Sequence, residues 1–295
     1  MRVFVTGASG FMGSAIIPDL IAHGHSVVGV GRNDASAAEI EAMGAQAFRG
    51  SLEDPEGLAR GAADADGVIH LAFNHDFSRF AENGQTDKRA IEAMGEVLAG
   101  SGKPLIVTSG TALIAPGKVA TEDDEAMATG PRISEAVAKA FVARDVRAMA
   151  VRLPPSTHGT SDRGFRAGLT SWLIDTAREK GVSAYVGEGT NRWSASHRLD
   201  AAPVYRLALE KGRAGRSYHP IAEEGVTLRA TAEALGGTLG VPVKSLPAEA
   251  AGEHFGFIAM FITADVPASS AKTRAELGWT ATRPGLIEDL KTASY

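Results

Sequence analysis

The chain has 295 residues, of which 44% are hydrophobic and 22% charged, and its 30 Lys and Arg are interspersed with 35 Asp and Glu for a net charge of -5. That composition suits one large domain or two smaller ones and leaves no basic stripe for a nucleic-acid backbone, so neither disorder nor a nucleic-acid partner is expected. There is no cysteine, which excludes disulfides, thiolate nucleophiles and cysteine metal sites. The opening Met1-Arg-Val-Phe-Val reads straight into an apolar strand, and no run approaches the roughly 18 apolar residues of a membrane span. The expectation is a soluble, cytoplasmic protein with no membrane partner.

The first strand, Val3–Thr6, leads into Gly7-Ala8-Ser9-Gly10-Phe11-Met12-Gly13 and then a helix predicted over Met12–His23. A strand, glycines spaced by three and a helix are what a phosphate-binding turn needs. Gly7 allows the tight turn, Gly10 lets backbone N–H groups approach a pyrophosphate, and Gly13 lets the helix pack against the sheet. The second strand, Ser26–Val30, ends in Gly31-Arg32-Asn33 with no carboxylate for ribose hydroxyls. Arg32 is instead placed for a 2′-phosphate, which favours NADP(H) while Asp34 keeps NAD(H) open.

Further along, a helix is predicted over Ser36–Met43, strands over Gln46–Phe48 and Val68–Ala72, a helix over Arg89–Leu98, and strands over Leu105–Ser109 and Ala148–Arg152. The alternation predicts an α/β fold with a Rossmann-type doubly wound parallel sheet in residues 1–155. After Pro154-Pro155 helices dominate, at about 164–180, 200–211, 227–240, 249–261 and 270–278, with short strands near Tyr185, Tyr218 and Val243. Residues 156–295 therefore read as a smaller, mostly helical substrate lobe, packed intimately on the first. The run Phe255–Phe261 reads as core or as a subunit interface, which leaves room for a homodimer.

Several segments together carry a family likeness: Thr6-Gly7-x-x-Gly10-x-x-Gly13, Gly50-Ser51-Leu52-x-Asp54-Pro55, Asp66-Gly-Val-Ile-His-Leu-Ala72, Val107-Thr-Ser109, Val151-Arg-Leu-Pro-Pro-Ser-Thr-His-Gly159 and Ser196-His-Arg-Leu-Asp200. Over nearly the whole chain they resemble the extended or atypical short-chain dehydrogenase/reductase superfamily, the branch that includes NAD-dependent epimerase/dehydratases. The resemblance implies that Ser51 and Leu52 flank the adenine and that Leu71, Ala72 and Phe73 run past the cofactor ribose. It also implies that Thr108 and Ser109 face the cofactor and that Pro154 and Pro155 approach the nicotinamide. Ser51 stands where the family usually has Asp.

The likeness breaks at the family's proton relay, Tyr-x-x-x-Lys on the helix after the fifth strand. Here Gly130-Pro-Arg-Ile-Ser-Glu-Ala-Val-Ala-Lys139 puts Pro131 at the tyrosine and Glu135 at the lysine, and the first tyrosine of the chain is Tyr185. Pro131 suits the first position of a helix, and Glu135 with Lys139 reads as an exposed i,i+4 ion pair. The family's serine falls on Gly110, beside Ser109 and Thr111.

Candidates to replace the relay are His158 and His197, since an imidazole exchanges protons near neutrality, with Thr111 as a hydroxyl neighbour. Each histidine can equally be a residue that holds a loop. His75, Arg192, Trp193 and Arg198 are the candidate substrate-binding residues, with an Arg–Asp200 pair as the plainer alternative. No histidine spacing fits a metal site, and none is expected. The resulting expectation is an NADP(H)-dependent oxidoreductase-like protein that transfers hydride to a small-molecule substrate without the Tyr/Lys relay. The alternative is a non-catalytic NADP(H)-binding sensor or interaction module.

Overall fold

In the computed structural model, which describes residues 1–112, 114–126, 129–160 and 168–292, strands and helices alternate through the first half. They run β1 (Arg2–Thr6), α1 (Gly13–Ala22), β2 (Ser26–Gly31), α2 (Asp34–Ala42), β3 (Gln46–Arg49), α3 (Pro55–Ala63), β4 (Gly67–His70), α4 (Phe80–Leu98), β5 (Pro104–Gly110), α5 (Ser134–Ala140) and β6 (Arg147–Leu153). The second half continues with β7 (Ser156–His158), α6 (Leu169–Lys180), β8 (Ser183–Val186), β9 (Arg192–His197), α7 (Arg198–Lys211), β10 (Ser217–Tyr218), β11 (Glu223–Thr227) and α8 (Leu228–Leu239). It ends with β12 (Val243–Leu246), α9 (Ala251–Phe255), α10 (Ala259–Ile262), α11 (Ala271–Leu277) and α12 (Leu286–Thr292).

The central sheet has the order β10-β6-β5-β4-β1-β2-β3, and every pairing in it is parallel. Strands covered on both faces read as continuous apolar runs, which is why Val3, Phe4 and Val5 in β1 are all fully buried. Below the sheet, Ile16, Ile17 and Leu20 of α1 pack with Tyr205 and Leu209 of α7. Above it, Leu58 of α3, Ile91 and Met94 of α4 and Phe141 pack on Phe4 and Leu105. The strand order reverses between β1 and β4, so a crevice opens at their carboxyl ends, where ligands bind in such sheets.

The second half differs from its expected form in three places. The structure forms a three-stranded sheet, β11-β9-β7, where no strands were expected. In β9 every residue from Trp193 to His197 is buried, so no alternation of apolar and polar residues marks it as a strand. The strand near Tyr218 is β10, which joins the central sheet instead of the lobe. The helix expected at about 249–261 breaks at Gly256, whose φ of 57° favours glycine and ends α9. In the first half, α4 begins nine residues before the expected Arg89, because Asn83, Gly84 and Asp87 are buried polar or small residues that leave no apolar stripe. The helix expected from about 164 is seen from Leu169, residues 161–167 lying outside those described.

Candidate cofactor cleft and active site

Between β1 and α1 the glycines do different jobs. Gly7 has φ 66°, and a Cβ there would lie 2.8 Å from the Ala72 nitrogen. A Cβ on Gly13 would lie 2.3 Å from the Ala8 carbonyl oxygen, so only glycine lets α1 start this close to the strand. On Gly10 a Cβ would meet, within 4 Å, only the turn's own Gly7 carbonyl, at 3.1 Å for the oxygen, which leaves the outer side of the turn open. No side chain caps the N-terminus of α1; the Ser14, Ala15 and Ile16 amides bond back to the Gly10 and Met12 carbonyls, and the positive end of the helix dipole faces that opening. The backbone from Ser9 to Gly13 is the part of the turn that could hold a pyrophosphate. The side chains of Ala8, Phe11 and Met12 point into the core and contribute by packing.

Arg198 lies under this turn rather than in a substrate pocket. Its Nε donates to the Phe11 carbonyl at 3.1 Å and its Nη2 to Ser14 Oγ at 2.6 Å, with the guanidinium 4.9 Å from the Phe11 ring centre. As the first residue of α7, it is buried where that helix packs against α1. Beyond β2, Arg32 is exposed and forms no ion pair with a described residue. The nearby Asp34 is paired with Arg49, which lies opposite Gly31 in the sheet register. Two arginines and one carboxylate therefore stand beyond the carboxyl ends of β2 and β3. Ser51 and Leu52 follow β3, Ser51 Oγ accepting from Glu53 N at 3.2 Å and Leu52 packing on the core.

At the carboxyl ends of β4 and β5 a buried polar chain crosses the sheet. Thr6 Oγ1 accepts from the Leu71 and Ala72 amides, each at 3.2 Å, so its proton goes to His70 Nδ1 at 2.8 Å. With Nδ1 accepting, the network assigns the ring proton to Nε2, which donates to Asp87 Oδ1 at 3.1 Å. Ser134 Oγ donates to Asp87 Oδ2 at 2.5 Å and accepts from Arg132 Nε at 3.1 Å. Burial pushes the Asp87 carboxyl up, but the His70 bond, the Arg132 charge and the Ser134 hydroxyl hold it below its ordinary value. Arg132 also donates from Nη2 to the Thr108 carbonyl at 3.0 Å and stacks 3.9 Å from the Phe73 ring centre. Phe73 in turn meets His75 edge-on, ring centres 5.5 Å apart. His75 stands at the mouth, its pKa lowered by burial and by Arg132.

Glu135 is not in an exposed ion pair. Its side chain is 3% exposed and accepts from Arg152 Nε at 2.9 Å and Nη2 at 2.7 Å, and from Lys139 Nζ at 2.7 Å. Ser109 Oγ and Ser217 Oγ add bonds at 3.1 and 2.7 Å. The reason is Arg152, a fully buried cation on β6 that requires a carboxylate. Burial works to raise Glu135, yet Arg152 and Lys139 win and bring it down to about 2, so it stays ionised.

The hydroxyls at the end of β5 are all engaged. Thr108 Oγ1 lies 3.0 Å from Tyr205 OH, a buried phenol whose pKa burial pushes far up. Ser109 binds Glu135. Thr111 is buried with its Oγ1 3.3 Å from Ser194 Oγ of β9.

The fold brings His158 and His197 together across β7 and β9, ring centres 5.3 Å apart. His197 Nδ1 accepts from Leu199 N at 3.1 Å and caps α7; burial and then the His158 charge lower its pKa. His158 Nδ1 pairs with Asp289 Oδ2 of α12 at 2.9 Å, and its buried Nε2 has no hydrogen-bond partner among the described residues. Pro154 and Pro155 close β6, and the Pro155 carbonyl accepts from Leu169 N at 3.1 Å, which starts α6. Arg192 and Trp193 lie apart from this edge. Arg192 is held by both oxygens of Asp265 at 3.1 and 2.8 Å, not by Asp200, and Trp193 is core, donating to the Phe261 carbonyl at 3.0 Å. Asp200 receives the Thr282 and Arg283 amides at 2.9 Å each.

Arg132, Thr6, His70 and Asp87 were not among the sequence candidates. A signal for His70 was present, since an imidazole in the middle of an apolar strand must find a partner. Asp87 lies in the polar stretch that concealed the start of α4.

The model of the NAD dependent epimerase/dehydratase family matches residues 3–221. An uncharacterized protein of Saccharomyces cerevisiae is 46% identical over 300 residues, covering 100% of this chain and 99% of its own. A 4-hydroxy-2-methyl-3-oxo-4-farnesyl-3,4-dihydroquinoline-1-oxide ketoreductase of Stigmatella aurantiaca is 28% identical over 85% of this chain and 78% of its own. Among solved structures, a dTDP-glucose 4,6-dehydratase of Streptomyces venezuelae with NAD and TYD bound superposes with TM-score 0.77 at 20% identity, covering 99% of this chain and 96% of that one. A UDP-glucose 4-epimerase of Thermus thermophilus in complex with NAD gives TM-score 0.74 at 20% identity over the full length of both.

Proposed function

Because the chain belongs to the NAD dependent epimerase/dehydratase family, we propose that it is an NADP(H)-dependent oxidoreductase that reduces a small carbonyl or quinone acceptor without a Tyr-x-x-x-Lys relay. The observation that carries the cofactor assignment is Arg32, exposed and without an ion-pair partner among the described residues, beside a carboxylate already committed to Arg49. When bound, the dinucleotide supplies hydride. The turn from Gly7 to Gly13 holds its pyrophosphate, Arg32 its 2′-phosphate, and the segments Leu71 to Phe73 and Pro154 to Pro155 border its nicotinamide half. The likeness to a ketoreductase supports a carbonyl acceptor. Fluorescence titration should give NADPH tighter than NADH in the wild type, and Arg32→Ala should weaken NADPH by about tenfold with NADH unchanged. Equal wild-type affinities would remove the NADP assignment.

The proton donor in this reading is His158, the member of the histidine pair whose other ring nitrogen is held by a carboxylate, Asp289. Losing a general acid costs about 10²- to 10⁴-fold in rate. His158→Gln should therefore lower turnover by that order at unchanged NADPH affinity; a loss of only a few-fold would assign the proton to water.

A second reading, a non-catalytic NADP(H) sensor, is favoured by one observation: the position of the family lysine holds Glu135, locked as a carboxylate by Arg152. Tight NADPH binding with no reduction of quinones, flavins or small carbonyls would favour it.

A further inference from the structure

Resting on the oxidoreductase reading, we infer that Arg132 is the residue that binds the reacting oxygen of the substrate, taking over electrostatically the place of the missing phenol. Its neighbours set it apart from other basic side chains of this edge. Arg152 and Lys139 are matched by Glu135. Arg132 instead gives its bonds to uncharged acceptors, Ser134 Oγ and the Thr108 carbonyl, and lies over the Phe73 ring. Asp87 reaches it only through Ser134. No bond from Arg132 Nη1 exists among the described residues.

Asp87 supplies counter-charge only across Ser134, so the guanidinium is touched by no carboxylate among the described residues and Nη1 is left without an acceptor, a place that an anion supplied from the cleft fills. Burial, the larger influence, lowers the affinity of Arg132 for its proton, and the Asp87 charge works against it. The pyrophosphate is not that anion: its turn lies at β1 and α1, whereas Arg132 spans the ends of β4 and β5. The chain around it is fixed in place, since Gly84 of α4 lets the Pro131 carbonyl come so close that a Cβ would sit 1.7 Å from its oxygen.

An arginine keeps its proton near neutrality and cannot act as the acid. What it offers is fixed positive charge, aimed at an oxygen that becomes negative. As hydride reaches the carbonyl carbon, the pair of the C=O double bond moves to oxygen. Arg132 holds the oxyanion, and a proton from water, relayed by His158 in the reading above, completes the alcohol or hydroquinone. Phe73, edge-on to His75 and to Phe80, forms an aromatic wall beside the charge. The substrate class is thus a flat, conjugated carbonyl compound.

Benzoate and benzamide, alike in shape and different in charge, test this by calorimetry on protein saturated with NADP⁺. The wild type should prefer benzoate by about tenfold or more, the ratio expected of a charge-assisted bond. Arg132→Met should abolish the preference while leaving NADP⁺ affinity unchanged, and Arg132→Lys should restore part of it. The NADP⁺ titration doubles as the check that each variant is folded. A wild type that does not distinguish the probes, or a preference that survives Arg132→Met, would overturn the inference. Failure of the wild type to bind NADP⁺ would instead refute the cofactor reading, and the same two probes titrated into free protein would still decide the role of Arg132.

Discussion

The two ends of the cleft are built from different materials. The end at β1 and α1 is backbone: three glycines, an uncapped helix start and a carbonyl braced by Arg198. The end at β4 and β5 is side chains from distant parts of the sequence, with Thr6, His70, Asp87, Ser134 and Arg132 in one buried chain and Ser109, Glu135, Arg152 and Ser217 in another. A backbone site depends on space and tolerates few shapes. A side-chain network depends on charge balance and tolerates few deletions.

Removing charge from the network should therefore cost most. Glu135→Gln leaves Arg152 uncompensated in the interior, and breaking such a pair costs about 3–5 kcal/mol, read by urea unfolding near pH 7. The pH dependence has a definite sign. Glu135, at about 2 in the fold against an ordinary 4.5, stabilises above pH 4.5 and loses its contribution as pH falls from 4.5 toward 2. His219 is lowered from 6.5 to about 4 by burial and by Arg152, so it stabilises above 6.5 and loses that between 6.5 and 4. Wild-type stability should decline on acidification from pH 6.5, and Glu135→Gln should lack the part below 4.5. Unchanged stability in the variant would mean that the network carries no net charge balance.

Changing space at the other end should cost less and separate by position. Gly13→Val drives a side chain against the Ala8 carbonyl and should destabilise by about 1–3 kcal/mol. Gly10→Val meets only the Gly7 carbonyl, so its effect on unfolding should stay below about 1 kcal/mol while NADPH binding is lost. Equal behaviour of the two variants would erase the distinction between a glycine needed for packing and one needed for the ligand.

The same contrast explains what the sequence reveals. The turn is local, so its glycines, the strand before it and the helix after it stand within a dozen residues, and the crossover rhythm to β6 follows from short-range patterns. The network is not local. Asp87 is 17 residues from His70, and Ser217 is 82 from Glu135, so no spacing rule links them. Glu135 and Lys139 show the hazard: their i,i+4 spacing suggests a solvent-facing pair, and only the arrival of Arg152 from another strand makes it interior. The histidines are intermediate, because the segments that carry them are recognisable but the partner of His158 comes from α12.

β10 has only two residues, yet its place in the sheet bears on how the chain comes to fold. Ser217 and Tyr218 pair with Ala150 and Val151 after an excursion through β7 to α7. A nascent chain that has emerged only as far as the proline turn holds a β6 edge with open N–H and C=O groups and an α1 surface not yet covered by α7. Such an edge is a template for unwanted pairing between chains. Closing it needs a contact of long sequence separation, the kind that slows folding. The sheet is thus finished late, by residues translated well after its other strands, and the interval before they arrive is when the polypeptide is most exposed to aggregation.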